Sequence, residues 1–159
     1  MSLHDQSIIV SSDLRLRPLT EEDYQLALEW YSNDNILWYS ENRKEPYKLE
    51  DIQRMYQYLN KKGQVYVIEY KEDQWEPIGD VTLAEDTMPM VIIPKYQGKG
   101  IGSIIIKRLI DEAKRLGYKK LALSGIYLYN IPSQKMYGKC GFREVRRDDK
   151  KIYMEIELC

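Results

Sequence analysis

Two hydrophobic periods alternate along the chain, and the switches between them mark its elements. From Leu14 to Leu19 apolar and charged residues take turns, the pattern of a half-buried strand ending at Pro18. Thr20 then caps a helix whose first turn holds Glu21, Glu22 and Asp23, where carboxylates favour the helix dipole. Tyr24, Ala27, Leu28 and Tyr31 recur at helical spacing. The stretch from Ser32 to Tyr47 is polar and aromatic and reads as a connection. Leu49, Ile52, Met55, Tyr56 and Leu59 mark a second amphipathic helix, stopped at Lys61-Lys62-Gly63.

Strand-like runs follow at Gln64–Tyr70, Pro77–Ala84 and Thr87–Ile93, with turn-prone breaks at 71–74 and at Glu85-Asp86. From Gly100 the period returns to helical: Ile101, Ile104, Ile105, Leu109, Ala113 and Leu116 form one stripe, and Gly117 stops it. Lys120–Ser124 reads as a short buried strand. Asn130 to Cys140 reads as a helix with Asn130 as cap and Pro132 in its first turn. Phe142–Arg146 and Lys151–Leu158 close the chain as strands. The order β-α-α-β-β-β-α-β-α-β-β describes an α+β domain over 14–159, with 1–13 as an N-terminal tail. The strand, helix and strand between Thr87 and Ser124 form a right-handed parallel unit by the usual handedness.

Composition narrows the function. A chain of 159 residues suits one domain with a sizeable core. A net charge of −1 argues against general binding to nucleic acid or to an anionic membrane surface. No run approaches the ~20 apolar residues that span a bilayer, and the first residues lack the basic-then-apolar pattern of a signal peptide. Cys140 and Cys159 make no disulfide framework, so the expected location is a reducing cytoplasm. The single histidine, His4, rules out a histidine-based triad and a multi-histidine metal site, and no metal is expected.

The informative segment is Val91 to Gly102, where a strand ends at Pro94 and a long helix begins near Gly100. Between them stand Gly98, Gly100 and Gly102. Glycine reaches positive φ and lets a ligand approach the backbone. Several N–H groups can then aim at one point, reinforced by a helix N-terminus, which makes an anion site suited to a pyrophosphate. Lys99 either adds charge there or is simply solvated. The sequence has no Gly-x-x-x-x-Gly-Lys-Ser/Thr, so it is not a P-loop. A dinucleotide fingerprint is absent too, because Ser103 stands where the third glycine belongs and Ser124-Gly125 offers no carboxylate.

Gln97-x-x-Gly100-x-Gly102, between a strand and a long helix, resembles the signature of the GNAT superfamily of N-acetyltransferases. Asn130-x-x-Ser133-x-x-x-Tyr137 followed by Gly141-Phe142 resembles its second signature. The element order from Leu14 to Leu158 also resembles the family domain. The resemblance implies a mixed central sheet with splayed parallel strands, flanked by helices, and acetyl-CoA as co-substrate. By the same resemblance, the backbone of Met90, Val91, Ile92 and Ile93 would pair with the pantetheine arm. The amides of Gln97, Gly98, Lys99, Gly100, Ile101, Gly102 and Ser103 would hold the pyrophosphate. Asn130, with Ser133 in the same signature, would fix the arm from the other side, and a plain helix cap explains Asn130 equally well.

Transfer to an amine needs a neutral nucleophile, a stabilised oxyanion and a proton for the departing thiolate. The resemblance makes Tyr137 the proton donor, with a core aromatic as the alternative. Glu85 and Asp86 sit near where family members often place an acidic base, with Asp80 a poorer candidate. Leu28-Glu29-Trp30 and Trp38-Tyr39 resemble the aminoglycoside N-acetyltransferases. Met88 stands where such enzymes can carry an aspartate, which counts against an aminoglycoside acceptor.

The expected acceptor is a primary amine of a small molecule, aminoglycoside-like or a polyamine. It would be bordered by Asp34, Trp38, Tyr39, Glu41 and Glu45, which suit a cation. A peptide or protein amine is the alternative within the same chemistry. A non-catalytic acyl-CoA sensor or a purely structural domain are the alternatives outside it. An exposed edge near Lys151–Leu158 would allow a homodimer.

Overall fold

A computed structural model of the chain describes residues 6–158, so His4 and Cys159 lie outside the described residues. Strands β1 (Ile8–Ile9) and β2 (Leu14–Pro18) lead through a 3-10 turn, Glu21–Asp23, into helix α1 (Tyr24–Trp30). Helices α2 (Asp34–Glu41) and α3 (Leu49–Lys62) come next, then β3 (Gln64–Lys71), β4 (Trp75–Leu83) and β5 (Met90–Ile92). A second 3-10 turn, Pro94–Tyr96, leads to α4 (Ile101–Arg115) and β6 (Lys120–Ala122). The chain continues through β7 (Ile126–Tyr127), α5 (Ile131–Lys139), β8 (Arg143–Arg147) and β9 (Lys151–Glu157).

The strands form two sheets, β1-β2-β3-β4-β5 and a second in which β6, β7 and β8 all pair with β9. Every ladder in both sheets is antiparallel. The expected parallel pair, β5 and β6, forms no ladder. The two segments meet just before β5, where Ala122 N–H donates to the Glu85 carbonyl at 2.8 Å and Thr87 Oγ1 to Ser124 Oγ at 3.0 Å. These contacts advance in the same direction along both segments, and past them the sheets part. The splay is thus complete enough to divide one expected mixed sheet into two antiparallel ones.

Three other readings change. Part of the segment read as a tail is β1, which adds to the first sheet with Ile8 opposite Leu16. The connection from Ser32 to Tyr47 contains α2. Asn33 caps it by accepting from the Asn35 and Ile36 amides, and Asn42 ends it in the left-handed region at φ 51°. The segment Lys151–Leu158 is not an edge: Glu155 pairs with Ala122 on one side and Arg143 on the other. The outer strand is β8, exposed along its whole length.

Burial explains the layering. Strand β3 is apolar on both faces, and each face meets a different helical layer. Tyr66 and Ile68 join the cluster under α4, built on Ile101, Ile105, Ile106 and Leu109. Val65 and Val67 join the cluster under α1, α2 and α3, built on Trp30, Ile36, Ile52 and Tyr56. Ile104, expected in the α4 stripe, faces solvent, while Ile106 and Ile110, outside that expectation, are buried. Arg17 clamps the start of α1 to the sheet, bonding Asp23 at 2.8 Å and Glu69 at 3.1 Å.

Strand β5 is held close against β4 at Gly79, whose Cα faces the Val91 carbonyl so closely that a Cβ would overlap it. Gly79→Ala must therefore displace β5, at a cost of about 2–3 kcal/mol. Urea denaturation checks this, and a midpoint equal to wild type would show that β5 gives way freely.

Candidate active site

Where the sheets part, a cleft of about 650 Å³ opens between β5, the turn before α4, the start of α5 and one face of α2. Among the described residues β5 pairs only with β4, so its far edge carries no strand and faces this space. Of the expected arm-pairing residues, Met90, Val91 and Ile92 line the cleft. Ile93 does not, and its N–H is turned to β4, donating to the Ile78 carbonyl at 2.9 Å.

Gln97, Gly98 and Gly100 to Ser103 form the end wall. Gly98 and Gly100 lie in the left-handed region, at φ 74° and 80°, and nothing comes within 4 Å of where a Cβ would be. They turn the backbone sharply and leave open space over it. Gly102 serves differently, because Met136 and Met90 pack where its side chain would go. The Gln97 side chain donates to the Ile92 carbonyl at 2.7 Å and fastens the turn to β5.

The first intrahelical bond of α4 runs from Ile104 N–H to the Gly100 carbonyl. The amides of Ile101, Gly102 and Ser103 precede it and are left for an outside acceptor. Lys135 and Lys139 line the cleft as well. Lys99 instead lies with its Nζ 5.5 Å from the Tyr96 ring, and Lys95 flanks the same ring at 5.3 Å. Among the described residues lining the cleft there is no carboxylate, so its charge favours an anion.

Asn130 and Ser133 line the opposite wall. Asn130 caps α5 through the Ser133 amide at 3.3 Å, and its Nδ2 donates to the Tyr39 carbonyl at 3.1 Å. Tyr137 is buried edge-on against Phe142, and its hydroxyl donates to the Met88 carbonyl at 2.8 Å. Met88 lies between Thr87, where the sheets still touch, and Met90, where the cleft begins. The hydroxyl thus ends at the root of the cleft without lining it, and burial holds its pKa well above the ordinary tyrosine value.

The structure does not bring Glu85 and Asp86 to the cleft. Both are exposed in the turn at the closed end, where Asp86 pairs with Lys62 at 2.8 Å. The hairpin that carries them runs away from the glycine turn, which is why the base role expected for them has no geometric support.

Sequence reasoning expected the stretch from Ser32 to Tyr47 to border the acceptor and named Tyr39, but missed that it holds a helix, α2, whose Asn35, Ile36 and Ser40 also line the cleft while Asp34, Trp38, Glu41 and Glu45 do not. The end of α2 is tied across the cleft by Tyr129, whose hydroxyl donates to the Trp38 carbonyl at 2.6 Å. Tyr129 also stacks between Trp38, with centroids 4.8 Å apart, and Tyr127 at 5.6 Å. The Asn33 and Asn42 caps were the available signals for this helix. Behind β5 lies a carboxylate ranked low on sequence: Asp80 accepts from Tyr31 at 2.9 Å and Tyr56 at 2.6 Å. Among the described residues, no group of three or more His, Cys, Asp or Glu side chains could hold a metal ion. No described helix is long and apolar enough to cross a membrane.

The chain is 26% identical over 155 residues to the uncharacterized protein MJ1062 of Methanocaldococcus jannaschii. That match takes in 92% of this chain and 32% of the relative, so the chain spans about a third of that protein's length. A solved domain from Methanocaldococcus jannaschii superposes with a TM-score of 0.83 at 24% identity, covering 93% of this chain and 100% of that one. The spermidine N-acetyltransferase from Vibrio cholerae, solved in complex with CoA and spermine, superposes with a TM-score of 0.75 at 23% identity, covering 93% and 97%. At these identities the superpositions establish the fold. The model of the acetyltransferase (GNAT) family matches residues 24–142, spanning α1, the glycine turn and both expected signatures. This chain therefore belongs to the GNAT acetyltransferase family.

Proposed function

We propose that the chain is an acetyl-CoA-dependent N-acetyltransferase acting on a primary amine of a small, cationic molecule, a polyamine or an aminoglycoside-like amine. The observation that carries this reading is the cleft itself. A strand edge without a neighbouring strand, three helix-start amides and two lysines converge where the sheets part, and among the described residues no carboxylate lines the space. Such a site suits a long, polyanionic ligand with an amide-bearing arm. The open edge of Met90–Ile92 would pair with the arm, and the amides of Ile101–Ser103 would hold the pyrophosphate.

The bound thioester supplies an activated acyl carbon. The amine nitrogen attacks it, the C–S bond breaks, and the sulfur takes up a proton. Tyr137 is proposed as that donor: burial keeps it protonated, and its hydroxyl sits at the cleft root against Met88. The acceptor would enter from the α2 side, where Tyr39 lines the cleft and Trp38 is exposed beside it. Aromatic faces there suit an ammonium group. That the Vibrio cholerae structure holds spermine supports a polyamine by fold likeness only.

Calorimetric titration with acetyl-CoA tests the site. Wild type should bind saturably, whereas Gly100→Glu, which puts a carboxylate into the anion site, should not bind. Gly100→Asn, which tolerates the left-handed backbone, should retain binding. Failure of folded wild type to bind would overturn the reading.

Tyr137→Phe should leave acetyl-CoA affinity intact and lower kcat for CoA release about a hundredfold, the lower end of what general acids contribute. An unchanged kcat would make Tyr137 a core residue only.

A further inference from the structure

An amine that attacks a thioester must first lose its ammonium proton. No carboxylate or histidine lines the cleft among the described residues, and Glu85 and Asp86 are turned away at its closed end. Water can carry that proton away, but a built acceptor has to be sought in the walls. One wall has a carboxylate directly behind it. Val91 lines the cleft, and its ladder partner on β4 is Asp80.

Asp80 is buried on the face of the sheet that packs against α1, α2 and α3, opposite Val67 of β3. Its Oδ2 accepts from the hydroxyl of Tyr31, just past the end of α1, and from the Tyr56 hydroxyl of α3. From α2, Glu41 adds negative charge at longer range, and from β5 the Val91 amide faces the carboxylate. Asp23, which acts electrostatically on Tyr56, is itself neutralised by Arg17. No lysine or arginine is bonded to Asp80. Burial without a cation pushes its carboxyl up to about 6, while the two tyrosine hydroxyls pull it down. Tyr31 packs in the same cluster as Val91 and Ile36, two residues that line the cleft.

We propose that Asp80 is a positioning residue for the transfer reaction, receiving the acceptor amine's proton through the Tyr31 hydroxyl. The ammonium nitrogen gives a proton, through water, to the Tyr31 oxygen behind the wall. The Tyr31 proton passes to Asp80 Oδ2 in the same movement. The amine becomes neutral, Asp80 becomes a carboxylic acid and Tyr31 ends unchanged. Tyr56 holds the carboxylate in place while this happens. After transfer, the acid gives its proton back to solvent by the reverse route. A carboxylate near neutrality is matched to this task, since it is ionised at working pH and still basic enough to accept.

The proposal rests on the acetyltransferase reading, and the experiment separates the two. Binding of acetyl-CoA and CoA release by wild type report on the enzyme. The pH profile reports on Asp80. With the amine that releases CoA fastest in a screen, kcat/KM is measured from pH 5 to 9 for wild type, Asp80→Asn and Tyr31→Phe. Wild type should show an acid limb near the Asp80 value of about 6. Asp80→Asn should lose that limb and fall about a hundredfold, the lower end for general-base contributions, with acetyl-CoA affinity unchanged. Tyr31→Phe keeps the carboxylate and should fall similarly.

Folding is followed separately. A carboxyl whose folded pKa is raised above the unfolded value of ~3.9 lowers stability as pH rises from about 4 to about 6. That loss should be present in wild type and absent in Asp80→Asn. If Asp80→Asn does not fold, the profile of Tyr31→Phe decides. An acid limb that survives in a folded Asp80→Asn, or a Tyr31→Phe profile equal to wild type, overturns the proposal. Acetyl-CoA binding without transfer to any amine overturns the enzyme reading, and this proposal with it.

Discussion

The structure depends on where two strands stop touching. Glu85 and Thr87 bind Ala122 and Ser124, and a few residues later β5 and β6 belong to separate sheets. A strand that loses a neighbour exposes a row of donors and acceptors, which proteins usually cover or blunt. Here the bare edge of β5 is kept and roofed by other elements. The glycine turn closes its end, α5 covers one flank and α2 the other. The edge must also be rigid if it is to present its amides in register. Gly79 achieves this by letting β5 lie against β4 too closely for any side chain, and Gln97 fastens the turn to the Ile92 carbonyl.

Strand β5 also separates two electrostatic environments. On the cleft side are helix-start amides, Lys135 and Lys139. On the other side, within one residue's thickness, are Asp80, Tyr31 and Tyr56, buried and without a bonded cation. A free carboxylate facing the cleft would repel a polyanionic ligand. Behind the wall it does not share that space. It keeps an uncompensated charge, which burial makes costly and the tyrosine hydroxyls relieve only in part. The fold tolerates this because β4 and β5 are fixed by their ladder and Val67 seals the site from β3.

What the sequence made legible follows from how local each signal is. The glycine turn was readable because positive φ and a helix start are short-range requirements, and the structure places both glycines at φ 74° and 80°. The core face of α4 was readable from its 3.6-residue period, except that Ile104 was counted inward. Helix α2 was not, because it buries only Ile36 and Leu37 and shows aromatic and polar residues elsewhere. Strand β1 is two residues long and too short for a period. The carboxylates expected as base stay away from the cleft for a different reason. Glu85 and Asp86 are close to the glycine turn in sequence, but a hairpin carries them to the far end of the sheet. Asp80 reaches the cleft wall only through the register that pairs it with Val91.

Asn130 shows why the two sides of the cleft cannot be treated as independent. One end of its amide caps α5, and the other bonds the Tyr39 carbonyl near the end of α2. Tyr129, its neighbour, holds the Trp38 carbonyl and stacks on the Trp38 ring. The last carbonyls of a helix lack partners within it, so Asn130 satisfies the Tyr39 carbonyl, whereas the Trp38 carbonyl already accepts from the Asn42 amide and takes Tyr129 as a second donor. The proposed acceptor wall is therefore completed by residues at the start of α5, the element that also bounds the anion site. A ligand that shifts Asn130 toward the cleft must loosen its hold on Tyr39. Such a ligand would be linked to the position of α2 through Asn130, and linkage would make the effect reciprocal.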